Sequence, residues 1–163
     1  MASGDTLLTF GPLDNSPPSS NPATFDARNG HQVLDFDDTT AEGAVFKAIL
    51  PQHYAGGGIT VFVHWSATSA TSGTVGWTVE FERIGDSQQD VDSDGFASAQ
   101  TVTAVTVPGT SGHVDITSVS ISNGANMDSI AVGELFRLRI KRDVASDNAS
   151  GDAELHAIEL RET

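Results

Sequence analysis

Residues 59–84, ITVFVHWSATSATSGTVGWTVEFERI, decide how the rest of the chain is read. Ile59, Val61, Val63 and Trp65 alternate with Thr60, Phe62, His64 and Ser66. After a small polar connector, ATSATSGT, Val75, Trp77, Val79 and Phe81 alternate with Gly76, Thr78, Glu80 and Glu82. Successive side chains of a strand point to opposite faces, so a period of two over runs this long predicts two strands. The simplest arrangement is an antiparallel hairpin pair that puts both tryptophans on one core face. Tyr54, His64, Trp65 and Trp77 would make a sugar-stacking platform if exposed. The tryptophans share their phase with Ile, Val and Phe, however, which assigns them to the core.

Outward from this pair, the same period recurs. HQVLDF near residue 31, GAVFKAIL near residue 43, the stretch 96–108, HVDITSVSI from His113, ELFRLRIKR from Glu134 and the closing AELHAIELRE all read as strands. Gly, Ser, Asn and Asp clusters separate them, and no long amphipathic helix interrupts. About eight or nine strands in this pattern predict an all-β fold, an antiparallel β-sandwich of jelly-roll-like type. An immunoglobulin-like sandwich is the alternative, without its Cys…Trp…Cys signature. Residues 1–30 hold four of the six prolines and read as a Pro-rich N-terminal arm with short strands at residues 7–10 and 24–28; residues 31–163 form a single β-sandwich domain. The arm either drapes over the domain or reaches a neighbouring subunit.

The 163 residues carry 22 acids against 8 bases, a formal net charge of −14, yet only 18% are charged. The acidity thus reflects scarce bases, not an acidic tail. Nucleic acid and anionic membranes are disfavoured as partners, because both draw affinity from Lys and Arg. The absence of cysteine excludes disulfides, thiolate nucleophiles and Cys-zinc sites, and fits assembly in a reducing cytoplasm. The start, MASGDTLLTFGPL, has neither the basic residues nor the apolar run of a signal peptide.

Two constellations invite chemistry. Asp90, Asp92 and Asp94, followed by Gly95, match the first half of a calcium loop, in which carboxylates at alternate positions converge on a hard cation. Position twelve is Thr101 in place of a bidentate Glu, so an EF-hand is not expected. The three aspartates are a calcium candidate only with further ligands, and otherwise form a solvated acidic turn. No other cofactor is implied. The second constellation is Arg137, Arg139 and Lys141, on the opposite strand face from Phe136, Leu138 and Ile140, with Arg142 adding charge at the end; half of all bases sit in these six residues. They form either a recognition strip for an acidic partner or cross-strand pairs with Glu80 and Glu82, and pairing is the preferred reading. The five histidines are scattered, and no GxSxG, HExxH or P-loop motif is present, so no catalytic residue is assigned and a non-enzyme is expected.

GDTLLTFGPLDNSPP, RNGHQVLDFDDTT, the stretch from ILPQHYAGGG to VEFERI, and GDAELHAIELRE together resemble small acidic β-proteins encoded among the virion genes of tailed bacteriophages. The resemblance spans residues 4–162 and rests on texture, with no functional residue to carry over. It implies a jelly-roll-like structural protein, a homotrimer that acts as a capsid decoration or cement protein on the virion exterior with the major capsid protein as partner. A receptor-binding or fibre-tip module recognising host surface glycans is the principal alternative. A calcium-dependent carbohydrate-binding module of a larger enzyme is the third.

Overall fold

The computed structural model describes residues 3–163; Met1 and Ala2, the first residues of the predicted arm, lie outside the described residues. Ten strands form: β1 (Thr6–Phe10), β2 (Thr24–Arg28), β3 (His31–Phe36), β4 (Gly43–Ile49), β5 (Ile59–Ala67), β6 (Thr74–Ile84), β7 (Gln100–Thr106), β8 (Asp115–Ile121), β9 (Leu135–Arg142) and β10 (Ala153–Glu162). They build two sheets, one of six strands in the order β2-β3-β10-β5-β8 with β1 also on β10, and one of four in the order β4-β9-β6-β7. All strand pairs are antiparallel. The molecule is an antiparallel β-sandwich of the jelly-roll-like class, as its alternation predicts.

The expected hairpin is corrected. β5 and β6 do not pair; β5 lies between β10 and β8 in the larger sheet, and β6 lies between β9 and β7 in the smaller one. The connector therefore crosses from one sheet to the other. Packed sheets are about 10 Å apart and paired strands about 4.8 Å, and a connector of this length spans either gap. Gly73 makes the crossing: its φ is +89°, and a Cβ there would lie 2.8 Å from Ala149 Cα. The tryptophans consequently meet across the interior, ring centroids 6.3 Å apart, and Trp77 also stands edge-on to Phe36 at 5.0 Å. Both are fully buried.

β10 is the hub of the larger sheet. One edge pairs with β5 along the whole strand, and the other is shared, Ala153–Leu155 with β3 and the residues around Ile158 with β1. Both strands read in the N-terminal segment are thus sheet members. The stretch between them drapes over the domain: Ser16 N–H donates to Val45 O, Val45 N–H to Asn15 Oδ1, Ala23 N–H to Gly43 O, and Gly43 N–H to Asn21 O. These bonds occupy the free edge of β4, a device that blocks edge-to-edge association.

Arg142 does not extend the surface charge of β9. It continues the phase of Phe136, Leu138 and Ile140, faces inward opposite Trp77, and is 1% exposed. All five guanidinium N–H groups are engaged: by Asp147 Oδ2 (2.7 Å) and Oδ1 (3.4 Å), and by the carbonyls of Phe36 (3.2 Å), Ala149 (2.7 Å) and Gly151 (2.7 Å).

Candidate functional site

The outer face of the smaller sheet carries the larger concavity. β4 contributes Val45 and Lys47, β9 contributes Arg137, Arg139 and Lys141, and β6 contributes Glu80 and Glu82, all brought to one face by register: Val45 and Glu80 lie opposite Arg139, and Lys47 and Glu82 opposite Arg137. Arg139 grips Glu80 with Nε (2.5 Å) and Nη2 (2.9 Å), and Arg137 donates from Nε to Glu82 Oε2 at 2.6 Å. Lys141 Nζ stands 3.7 Å from Glu80. The cross-strand pairing expected from the sequence is therefore formed. It does not use up the arginines. Glu80 and Glu82 are buried, whereas the Arg137 and Arg139 side chains keep 36% and 26% of their surface, so solvent meets guanidinium far more than carboxylate.

Loops raise this floor into a groove. Ser16, Pro17, Pro18, Ser19 and Ser20 wall it on the β4 side. Phe96 walls the other side, where Ala97 N–H donates to Phe81 O, and the Arg139 and Arg137 guanidinium carbons stand 4.1 and 4.9 Å from its ring centroid. The cavity measures about 400 Å³ and continues past Arg139 into a depression bordered by Asn21, Ala41 and Lys141. Sequence reasoning had the arginine strip but neither wall, since Phe96 and the proline segment reach it only through tertiary folding.

The outer face of the larger sheet is organised differently. Glu154 is buried and accepts from Arg28 Nη1 (2.6 Å) and Ser66 Oγ (2.8 Å), and Ser66 Oγ lies 2.8 Å from His156 Nε2. Because the carboxylate can only accept, Ser66 gives its proton to Glu154 and takes a bond from His156 Nε2–H. Burial holds His156 below its ordinary value, so the ring is neutral at pH 7. This wiring is the reverse of a nucleophilic triad, in which the histidine receives the serine proton. A cavity of about 300 Å³ lies beside it, lined by Arg28, Asn29, His31, Gly112, Val114 and His156. Nearby, Arg161 lies over the Phe62 ring at 4.1 Å.

Asp35 on the same face has a buried Oδ1 with no hydrogen-bond partner among the described residues. Burial, then the charges of Glu154, Asp152, Asp26 and Glu42, push its carboxyl up from 3.8 to about 6. A carboxyl raised on folding binds its proton more tightly in the native state, so its contribution to stability improves as pH falls through 6 and is complete below 3.8. Asp35→Asn is expected to stabilise the domain at neutral pH by on the order of 1 kcal/mol, with the gain vanishing near pH 4. Urea denaturation of both proteins across that range checks the sign; a variant less stable at neutral pH would refute it.

Asp90, Asp92 and Asp94 lie exposed in the loop between β6 and β7. Asp90 Oδ1 accepts Asp92 N–H at 3.0 Å, and Asp90 O accepts the N–H groups of Ser93 (3.0 Å) and Asp94 (2.8 Å), so the segment closes on itself as a turn. Among the described residues, no three His, Cys, Asp or Glu side chains are grouped to hold a metal ion.

No family model and no curated protein matches the chain. Solved structures do. A CBM35 from Cellvibrio japonicus Abf62 superposes with a TM-score of 0.55 at 8% identity, covering 95% of this chain and 92% of that one. The CBM22-1 xylan-binding domain of Paenibacillus barcinonensis Xyn10C gives 0.53 at 12% identity, covering 99% and 96%. The family 11 carbohydrate-binding module from Clostridium thermocellum, in complex with a β-1,3-1,4-mixed-linked tetrasaccharide, gives 0.53 at 12% identity, covering 98% and 96%. At these identities the likeness establishes a shared fold, the jelly-roll β-sandwich of carbohydrate-binding modules.

Proposed function

We propose that this chain is a carbohydrate-binding domain that holds a glycan, without cleaving it, in the groove between segment 16–20 and Phe96. The observation that carries the reading is the groove's construction. Its floor presents guanidinium donors held in place by buried carboxylates, and its walls present proline and phenylalanine surface. Sugar recognition needs that combination, directed donors for hydroxyl and ring oxygens beside apolar surface for the C–H faces. Holding the arginines from below lowers the ordering cost on binding. Glu80 and Glu82 are committed to ion pairs, which suits retention of a sugar over hydrolysis. The xylan-binding and tetrasaccharide-bound neighbours support the same reading.

Affinity gel electrophoresis against soluble neutral and acidic polysaccharides tests it. At least one polysaccharide is expected to retard the protein, and Phe96→Ala to weaken that binding about 10-fold. No retardation across the panel would overturn the proposal. The capsid-cement reading, with the major capsid protein as partner, draws its support from the sequence resemblance. Segment 15–23, part of the arm read as either draping over the domain or reaching a neighbouring subunit, is hydrogen-bonded to β4 of its own domain. Saturable co-sedimentation with purified capsids, alongside no polysaccharide binding, would favour it.

A further inference from the structure

We infer that the groove selects an acidic glycan, one whose pyranose rings carry an oxyanion, either a carboxylate or a sulfate ester. This rests on the carbohydrate-binding reading and names the ligand class of the same site. In a chain of net charge −14 with eight bases, four of the eight, Lys47, Arg137, Arg139 and Lys141, stand around this one groove. Glu80 and Glu82 among them are buried beneath the guanidiniums, 8% and 2% exposed, and so hold the cations while presenting little negative surface to a ligand.

Donor capacity points the same way. Glu80 engages Arg139 through Nε and Nη2, which leaves three of its five N–H groups without a protein partner among the described residues. Lys47 is exposed and has no ion-pair partner among the described residues. Neutral hydroxyls satisfy such donors weakly; a carboxylate or sulfate accepts them in forked, charge-assisted bonds roughly twice as strong. Pro17, Pro18 and Phe96 take the C–H faces of the ring between the anions.

The remaining acidity of the chain limits what this field can hold. At physiological salt, charges more than about 8 Å apart are largely screened, so only anionic groups inside the groove feel the cations, while the surrounding acidic surface opposes long polyanions such as nucleic acid. A short acidic oligosaccharide with modest salt dependence meets both conditions.

The test is calorimetric titration of the full chain with an oligogalacturonide, its fully methyl-esterified form, a sulfated oligosaccharide and a neutral xylo-oligosaccharide. The expected result is binding of the uronate, the sulfate ester or both at least 10-fold tighter than the ester and neutral forms, and which anion binds identifies the source of the charge. Lys47→Gln, which breaks no ion pair, is expected to weaken that binding about 10-fold with an unchanged Tm; Arg139→Gln is expected to weaken it about 10- to 100-fold. Equal affinity for the acid and its methyl ester would overturn the acid selectivity while leaving the carbohydrate-binding reading intact. Failure of all four ligands would count against that reading itself. Acid binding indifferent to both substitutions would remove the groove as its site.

Discussion

Replacing Arg142 by alanine is expected to lower the unfolding free energy by about 3–5 kcal/mol, the largest loss for any single charge in this chain. The reason is what stays behind. Asp147, 2% exposed at its side chain, would be left as an unpaired buried carboxylate, and the carbonyls of Phe36, Ala149 and Gly151 would lose their donor. Those carbonyls belong to the end of β3 and the 143–152 connection, so the substitution also frees the loop that delivers the chain into β10. Lysine is not expected to rescue the loss, because a point charge with three donors cannot span four acceptor groups set around a planar fork. Urea denaturation at unchanged m value checks the magnitude, which corresponds to a Tm drop on the order of 10 °C for a domain of this size. A loss under about 1 kcal/mol would show that water replaces the guanidinium without cost.

Trp77→Ala is expected to cost a comparable amount, about 3–5 kcal/mol, through lost burial and the cavity left at the centre of the sandwich. Trp77 is fully buried between Phe36 and Trp65, at the point where the two sheets lean on each other. Its indole Nε1 has no hydrogen-bond partner among the described residues, whereas Trp65 Nε1 donates to Thr117 Oγ1 at 3.2 Å. Phenylalanine at 77 is therefore expected to retain more stability than phenylalanine at 65, since only the second change strands a bonded hydroxyl. Trp77 lies opposite Arg142 in the β6–β9 register, so the double alanine variant should fall short of the sum of the singles by more than about 0.5 kcal/mol. Thermal and chemical denaturation of the four proteins completes the cycle; strict additivity would show that the two side chains are independent.

These two residues also mark the boundary between what local pattern reveals and what it hides. The alternation through residues 135–142 places Phe136, Leu138, Ile140 and Arg142 on one face by arithmetic alone. Treating Arg142 as surface charge gave its residue type more weight than its phase, although the phase was the stronger signal. The pairing of Arg137 and Arg139 with Glu82 and Glu80 was legible for the same reason. Opposite charges on the outward faces of two strands attract one another in whichever order the sheet is built, and the register then sets each arginine directly across from a glutamate.

The groove was half legible. Arg137, Arg139 and Lys141 stand together in the sequence, but Lys47 lies ninety residues before them, Phe96 some forty and the proline segment more than a hundred. Neither carries a motif, and each becomes a wall only because 97 extends the pairing beside β6 and 15–23 closes the edge of β4. The face of the larger sheet was less legible still. Nothing local announces that Asp35, Glu154, Ser66 and His156 converge, because β3, β5 and β10 meet through pairings far apart in the chain.

What the sequence determined by itself was the class of structure and the orientation of its side chains. A period of two, repeated between turn residues, has only one compact solution, sheets whose apolar faces are turned together, and so the tryptophans of residues 59–84 were core residues from the outset. Only the tertiary structure decided which strands are neighbours. Within one strand, alternation is identical whether the next strand lies beside it or across the sandwich, and the connector at 68–73 is long enough for both. The choice depends on the summed burial of all ten strands, with β10 claiming β5 and β9 claiming β6, and that sum is not written in any one stretch of the chain.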